Sequence, residues 1–140
     1  MITAIDTNVL IALWDESDTL NVRAQIALDR ADVAGTLVIC GAVFAELLAG
    51  KGRTVEAVED FLDETGIAVD WIIDEAIWRS SAAAFQKYAA RRRRQKQLAP
   101  RGLIADFLIG AHAFERGFPL LTFDSRIFKA AFPDLKIINH

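Results

Sequence analysis

Ile2-Thr-Ala-Ile-Asp-Thr-Asn-Val-Leu-Ile11 opens with a short apolar run, passes through one carboxylate and two polar residues, and returns to apolar residues. The run has the composition of a buried strand, and Asp6-Thr-Asn8 fits a strand-to-helix turn. Further strand-like runs are Leu37 to Ile39, Ala68 to Ile72, Pro119 to Thr122 and Lys136 to Ile138, which with Ile2 to Ile5 makes five. Longer stretches of helical periodicity separate most of them. Alternation of this kind predicts an α/β fold in which helices flank a parallel sheet.

Ala24, Ala27, Leu28 and Ala31 follow the spacing of one helix face, as do Val55, Val58 and Leu62; Trp78, Phe85 and Tyr88 form another stripe. These faces are expected in the core. Gly35, Gly50, Gly66 and Gly117 each follow a periodic segment, where a residue tolerant of positive φ ends a helix. Leu103 to Phe114 is apolar nearly all round except for Asp106 and His112, which predicts a buried helix. His112 should face away from Asp106, about 240° round that helix, and reads as structural. Pro100 and Gly102 make Gln95 to Gly102 a linking loop.

With 140 residues, 53% hydrophobic and 25% charged, the chain suits one domain spanning residues 1–140 with a substantial core. No uninterrupted apolar run approaches a membrane span, and the N-terminus lacks a secretory signal, so a cytoplasmic location is expected. The single Cys40 lies beside Val38 and Ile39 and reads as a core residue. The net charge of −3 hides an asymmetry: Arg79, Lys87, Arg91, Arg92, Arg93, Arg94, Lys96 and Arg101 supply 8 of the 16 Lys and Arg in a stretch without acids. That stretch is either a solvated helix face or an attractor for a polyanion such as RNA.

Four carboxylates stand alone in apolar surroundings: Asp6, Glu46 in Val43-Phe-Ala-Glu-Leu-Leu48, Asp106 in Leu103-Ile-Ala-Asp-Phe-Leu-Ile109, and Asp124 after Leu120-Leu-Thr-Phe123. In a parallel α/β sheet, functional groups collect beyond the carboxyl ends of the strands, and all four acids can reach that rim. Two carboxylates about 5 Å apart repel by roughly 3 kcal/mol at an effective dielectric of 20, so a cluster needs a cation or raised pKa values. Oxygen ligands without His or Cys point to Mg²⁺ or Mn²⁺, and such an ion suits phosphodiester hydrolysis. Asn8 or Thr7 can hold the Asp6 carboxylate, and Thr122 points to the same side of its strand as Asp124. The alternatives are helix caps for Asp6 and Asp124, and a buried arginine partner for Glu46 or Asp106.

No phosphate loop, dinucleotide fingerprint or serine-hydrolase elbow is present. Ile5-Asp-Thr-Asn-Val-Leu10, Ala45-Glu-Leu-Leu48, Ile104-Ala-Asp-Phe-Leu-Ile-Gly-Ala-His-Ala113, Pro119-Leu-Leu-Thr-Phe-Asp124 and Phe132-Pro-Asp-Leu-Lys136 together resemble the PIN-domain ribonucleases, in particular the VapC toxins of toxin–antitoxin pairs. The resemblance implies a sheet in the order 3-2-1-4-5 and a Mg²⁺- or Mn²⁺-dependent endoribonuclease that inhibits translation. It further implies a homodimer and a cognate antitoxin. It makes Asp6, Glu46, Asp106 and Asp124 the metal-site quartet, with Asn8 and Thr122 as supports. RNA contacts would then fall to Arg91, Arg92, Arg93, Arg94, Lys96 and Arg101. Two rivals stand beside this reading: a metal-dependent phosphatase of the haloacid dehalogenase type, which normally wants Asp-x-Asp where this chain has Asp6-Thr-Asn8, and a non-catalytic module whose acidic pocket accepts a partner's arginine.

Overall fold

Five strands and seven helices are described by the computed structural model, which covers residues 1–95 and 104–139. In chain order they are β1 (Ile2–Ile5), α1 (Thr7–Trp14), α2 (Asn21–Ala34), β2 (Thr36–Cys40), α3 (Gly41–Leu48), α4 (Val55–Thr65), β3 (Ile67–Asp70), α5 (Glu75–Arg94), α6 (Ile104–Arg116), β4 (Leu120–Leu121), α7 (Ser125–Ala131) and β5 (Ile137–Ile138). Lys96, Arg101, Leu103 and most of the expected loop from Gln95 to Gly102 lie outside the described residues.

The sheet runs β3-β2-β1-β4-β5, and every neighbouring pair is parallel. The chain lays strands outward from β1 to β3 and then crosses back to place β4 on the other side of β1. The β1–β4 junction is therefore where the winding reverses, and the loops leaving those two strands part to leave a crevice at their carboxyl ends. The Asp6 N–H donates to the Leu121 carbonyl at 2.9 Å, which sets Asp6 beside the end of β4.

Packing follows the apolar pattern, with two corrections. Ala24, Ala27, Leu28, Ala31, Val58 and Leu62 are buried, but Val55 and Trp78, read as members of core stripes, are about half exposed at 52% and 51%. Val55 is the first residue of α4, and Trp78 follows the fully buried Ile77 by one position on α5, about 100° round the helix from the side that Ile77, Ser81 and Ala84 bury. Trp71 and Ile72, expected in the third strand, lie beyond it and are exposed. The Asp70 carboxylate turns the chain there by accepting the Ile72 N–H at 3.1 Å.

Gly66 and Gly117 take positive φ values of 70° and 72° at or just after helix ends, as their positions suggested. Gly50 serves another purpose. A β-carbon there would stand 2.6 Å from Arg53, whose guanidinium donates to the Leu47 carbonyl at the end of α3 and lies over the Trp14 ring. Gly110, inside α6, is pressed by the Phe132 ring, 2.4 Å from where a β-carbon would sit. Gly110→Ala should therefore destabilise the fold by about 1–3 kcal/mol despite alanine's better helix propensity. Thermal denaturation checks this, and an unchanged or higher midpoint would mean the ring yields without penalty.

Cys40 is buried, and burial pushes its thiol upward, away from reactivity. Among the described residues no helix is long and apolar enough to cross a membrane.

Candidate active site

Asp6 is the residue at which β1 becomes α1. Its extended backbone ends the strand, and its Oδ1 accepts the Thr7 N–H at 2.8 Å, so it caps the helix. Capping uses only one carboxylate oxygen. The other, Oδ2, accepts the Thr122 hydroxyl at 2.8 Å, joining the end of β1 to the end of β4. Thr122 Oγ1 in turn accepts the Asp124 N–H at 3.0 Å, which fixes the turn that carries Asp124 into α7. Asp124 occupies the cap position of α7 yet makes no side-chain cap bond, so its carboxylate is left for other work.

Glu46 lies on α3, whose apolar face buries Val43 and Leu47. Its Oε1 accepts the Thr7 hydroxyl at 2.6 Å, so Thr7 serves two acids: its N–H holds Asp6 and its side chain holds Glu46. Sequence reasoning assigned the Asp6 contact to Asn8 or Thr7 and missed the link to Glu46. A partner 39 positions away leaves no periodic signal. Asn8 does not reach Asp6. Its amide accepts the Phe123 N–H at 3.3 Å and approaches Thr122 Oγ1 at 3.5 Å, bracing the β4–α7 turn. Asp106 sits in the first turn of α6, ahead of the fully buried stretch from Phe107 to Ala113.

Asp6, Glu46, Asp106 and Asp124 line one cleft of about 290 Å³, together with Thr7 and Asn8. Among the described residues no arginine or lysine lines it, so none of them is the buried arginine partner considered for Glu46 and Asp106. Burial, opposed by the Thr122 bond and reinforced by Asp106, raises the Asp6 carboxyl from its ordinary 3.8 to about 6. Asp106 is raised to about 6 by burial and then by the charges of Glu46 and Asp124. Carboxyls held this high, with no cationic partner among the described residues of the cleft, favour whatever brings positive charge into it. A second hollow of about 310 Å³, where Asp29, Asp32 and Glu64 ring Leu28 and Ile67, contains none of the four acids.

The donor set suits a hard divalent ion: four carboxylates and two side chains with neutral oxygens, with no His or Cys among the described residues. Among the described residues no three acids, histidines or cysteines close tightly enough to enclose an ion by themselves.

His112 is turned away from this cleft. Its Nε2 lies 2.9 Å from Asp70 at the end of β3, and Arg116 Nε donates to the same carboxylate at 3.2 Å. Burial alone would raise Asp70, but His112, the Ile72 N–H and Arg116 hold it below its ordinary value. The network fastens α6, which carries Asp106, to the edge of the sheet. The basic run ends α5, with Arg91 and Arg92 lying over the Tyr88 ring at 6.0 and 5.7 Å and Arg93 and Arg94 exposed.

The PIN domain family model matches residues 3–133. No curated protein matches the chain. Among solved structures, VapBC-1 from nontypeable Haemophilus influenzae is similar at 24% identity and a TM-score of 0.69, over 99% of this chain and 98% of that one. FitAcB from Neisseria gonorrhoeae is similar at 22% and 0.66, over 99% and 97%. VapBC2 from Rickettsia felis, bound to a DNA fragment from its promoter, is similar at 20% and 0.62, over 100% and 99%. At these identities the likeness bears on the fold.

Proposed function

Since this chain belongs to the PIN-domain family, a family of nucleases, we propose that it is a divalent-metal-dependent endoribonuclease and the toxin of a toxin–antitoxin pair. The observation that carries this reading is the convergence of Asp6, Glu46, Asp106 and Asp124, from four separate elements, on one cleft that has no basic residue among the described ones. Family membership sets aside the haloacid dehalogenase reading, and the side chain of Asn8, braced on Phe123, is not offered as a second acid there.

Asp6 and Asp106 would hold the ion, with Glu46 and Asp124 as further ligands or as acceptors for its waters. Bound there, Mg²⁺ or Mn²⁺ supplies positive charge for a phosphoryl oxygen and makes a neighbouring water more acidic. The chain does the rest. Thr7 and Thr122 fix both oxygens of Asp6, so that carboxylate need not reorganise as charge develops. The second oxygen of Glu46 and the carboxylate of Asp124 would accept a proton from the attacking water and orient it. Its oxygen joins phosphorus as the bond to the leaving ribose oxygen breaks, and that oxygen takes a proton from solvent.

A cognate antitoxin belongs to the same proposal, supported by likeness to the VapBC structures above; a homodimer and inhibition of translation join it on the sequence resemblance to the VapC toxins. Incubation of the purified protein with total RNA, with and without Mn²⁺, followed by mapping of new ends, tests it. Ion-dependent cuts are expected. Binding of a partner protein with no cleavage under any divalent ion would make the chain a non-catalytic module instead.

Arg91, Arg92, Arg93 and Arg94, with Lys96 and Arg101 outside the described residues, supply the positive surface for the RNA backbone in this proposal. Arg92→Glu with Arg93→Glu should weaken RNA binding and flatten its salt dependence by about two units of log–log slope or more. An unchanged slope, read by fluorescence anisotropy across a salt series, would return the run to a solvated helix end, where its charge favours the helix C-terminus anyway.

A further inference from the structure

The acid cleft has a second tier. Ile11, Ala49 and Ile127 line it alongside the carboxylates, and each stands one helical turn beyond an acid-site residue on its own element. Ile11 follows Asn8 by three positions on α1, Ala49 follows Glu46 by three at the end of α3, and Ile127 follows Asp124 by three on α7. Three elements thus repeat the same three-residue step, about 4.5 Å of helical rise, from polar to apolar. Ile11 is 38% exposed, an aliphatic side chain open to a hollow whose other wall is anionic.

We infer that this tier is the seat of one nucleobase beside the scissile phosphodiester, and that Ile11 and Ile127 set a base preference at the cut; the inference rests on the ribonuclease reading above. Among the described residues no lysine or arginine lines the cleft, so the basic run at the end of α5 can draw in the RNA backbone while the described lining has to place the nucleotide by another contact. A base offers a flat apolar face, and the tier presents aliphatic groups from three sides with no charged side chain among them. At about 290 Å³ the cleft lies at the small end of the range for ligand sites, roughly 300–1,000 Å³, room for one nucleotide unit rather than several. A wall without hydrogen-bonding side chains reads a base by area, and a purine gains more from it than a pyrimidine.

The test is end-mapping and kinetics on a short RNA with wild type, Ile11→Ala, Ile127→Ala and the conservative Ile11→Val. Wild type is expected to show purine enrichment at one position beside the cut. Both alanine variants should erode that enrichment and raise KM on the order of ten-fold, more than they lower kcat, while Ile11→Val restores most of the preference. Mn²⁺ affinity should stay as in wild type, which a general loss of structure would not permit. If wild type cleaves and the alanine variants keep its base distribution and KM, the inference is overturned and the ribonuclease reading stands. Loss of tight protein-partner binding with an unchanged cleavage pattern would give the tier to the partner. If wild type cleaves nothing under any divalent ion, the functional reading fails and takes this inference with it.

Discussion

Asp6→Asn should reduce RNA cleavage on the order of 10³-fold while making the ion-free protein harder to unfold at pH 7. The two effects have one origin. Asp6 is 4% exposed and its carboxyl is raised from 3.8 to about 6, chiefly by burial. A carboxyl raised by folding adds stability that is fully present below its unfolded value and is lost as the pH rises through its folded value. At pH 7 the ion-free fold therefore carries an ionisation penalty of roughly 3 kcal/mol. Asparagine never ionises and escapes it. Its carbonyl can still accept the Thr7 N–H, and its amide can donate to Thr122 Oγ1. The hydroxyl is then free to donate to the Asp124 carbonyl, which it already approaches at 3.3 Å. The expected gain in melting temperature in the presence of a chelator is roughly 5–10 °C. A variant that melts lower than wild type at pH 7 would mean that the two hydrogen bonds outweigh the charge. Wild-type cleavage by the variant would remove Asp6 from the mechanism.

What the sequence disclosed and what it hid divide along the range of the interactions. Asp6 is legible because an acid between a strand and a helix has a local signature, and the parallel order of short strands and longer helices places it at the carboxyl end of the sheet. Glu46 and Asp106 stand out for the opposite reason: an acid inside an apolar helix has no local partner, so something distant must account for it. The identity of that something is invisible locally. Thr7 to Glu46 and Asn8 to Phe123 are contacts between segments 39 and 115 positions apart, and neither helix nor strand periodicity constrains them. Trp78 shows another limit: with Ile77 and Trp78 adjacent, periodicity admits either of two faces of α5 as the buried one, and the fold buries Ile77.

Mn²⁺ binding should weaken steeply below pH 6, with the logarithm of affinity falling by up to about two per pH unit, or roughly 100-fold. Asp6 and Asp106 each take up a proton near 6 in the ion-free cleft, and an ion that uses both carboxylates must displace both protons. Above that pH the carboxylates are ionised, the penalty of holding them unpaired is present, and the ion relieves it; below it the protons already do so. Mn²⁺ should accordingly raise the melting temperature at pH 7.5 and leave it nearly unchanged at pH 5. The carboxyls share a field of other acids, so the protons leave as a coupled set and the slope belongs to the site as a whole. Asp106→Asn removes one of them: affinity should drop at pH 7.5, and the slope below pH 6 should fall from about two toward one. Isothermal titration from pH 5 to 7.5 in two buffers of different ionisation enthalpy measures both the affinity and the protons released. An affinity independent of pH, with no proton release, would mean that the ion does not use Asp6 and Asp106 together.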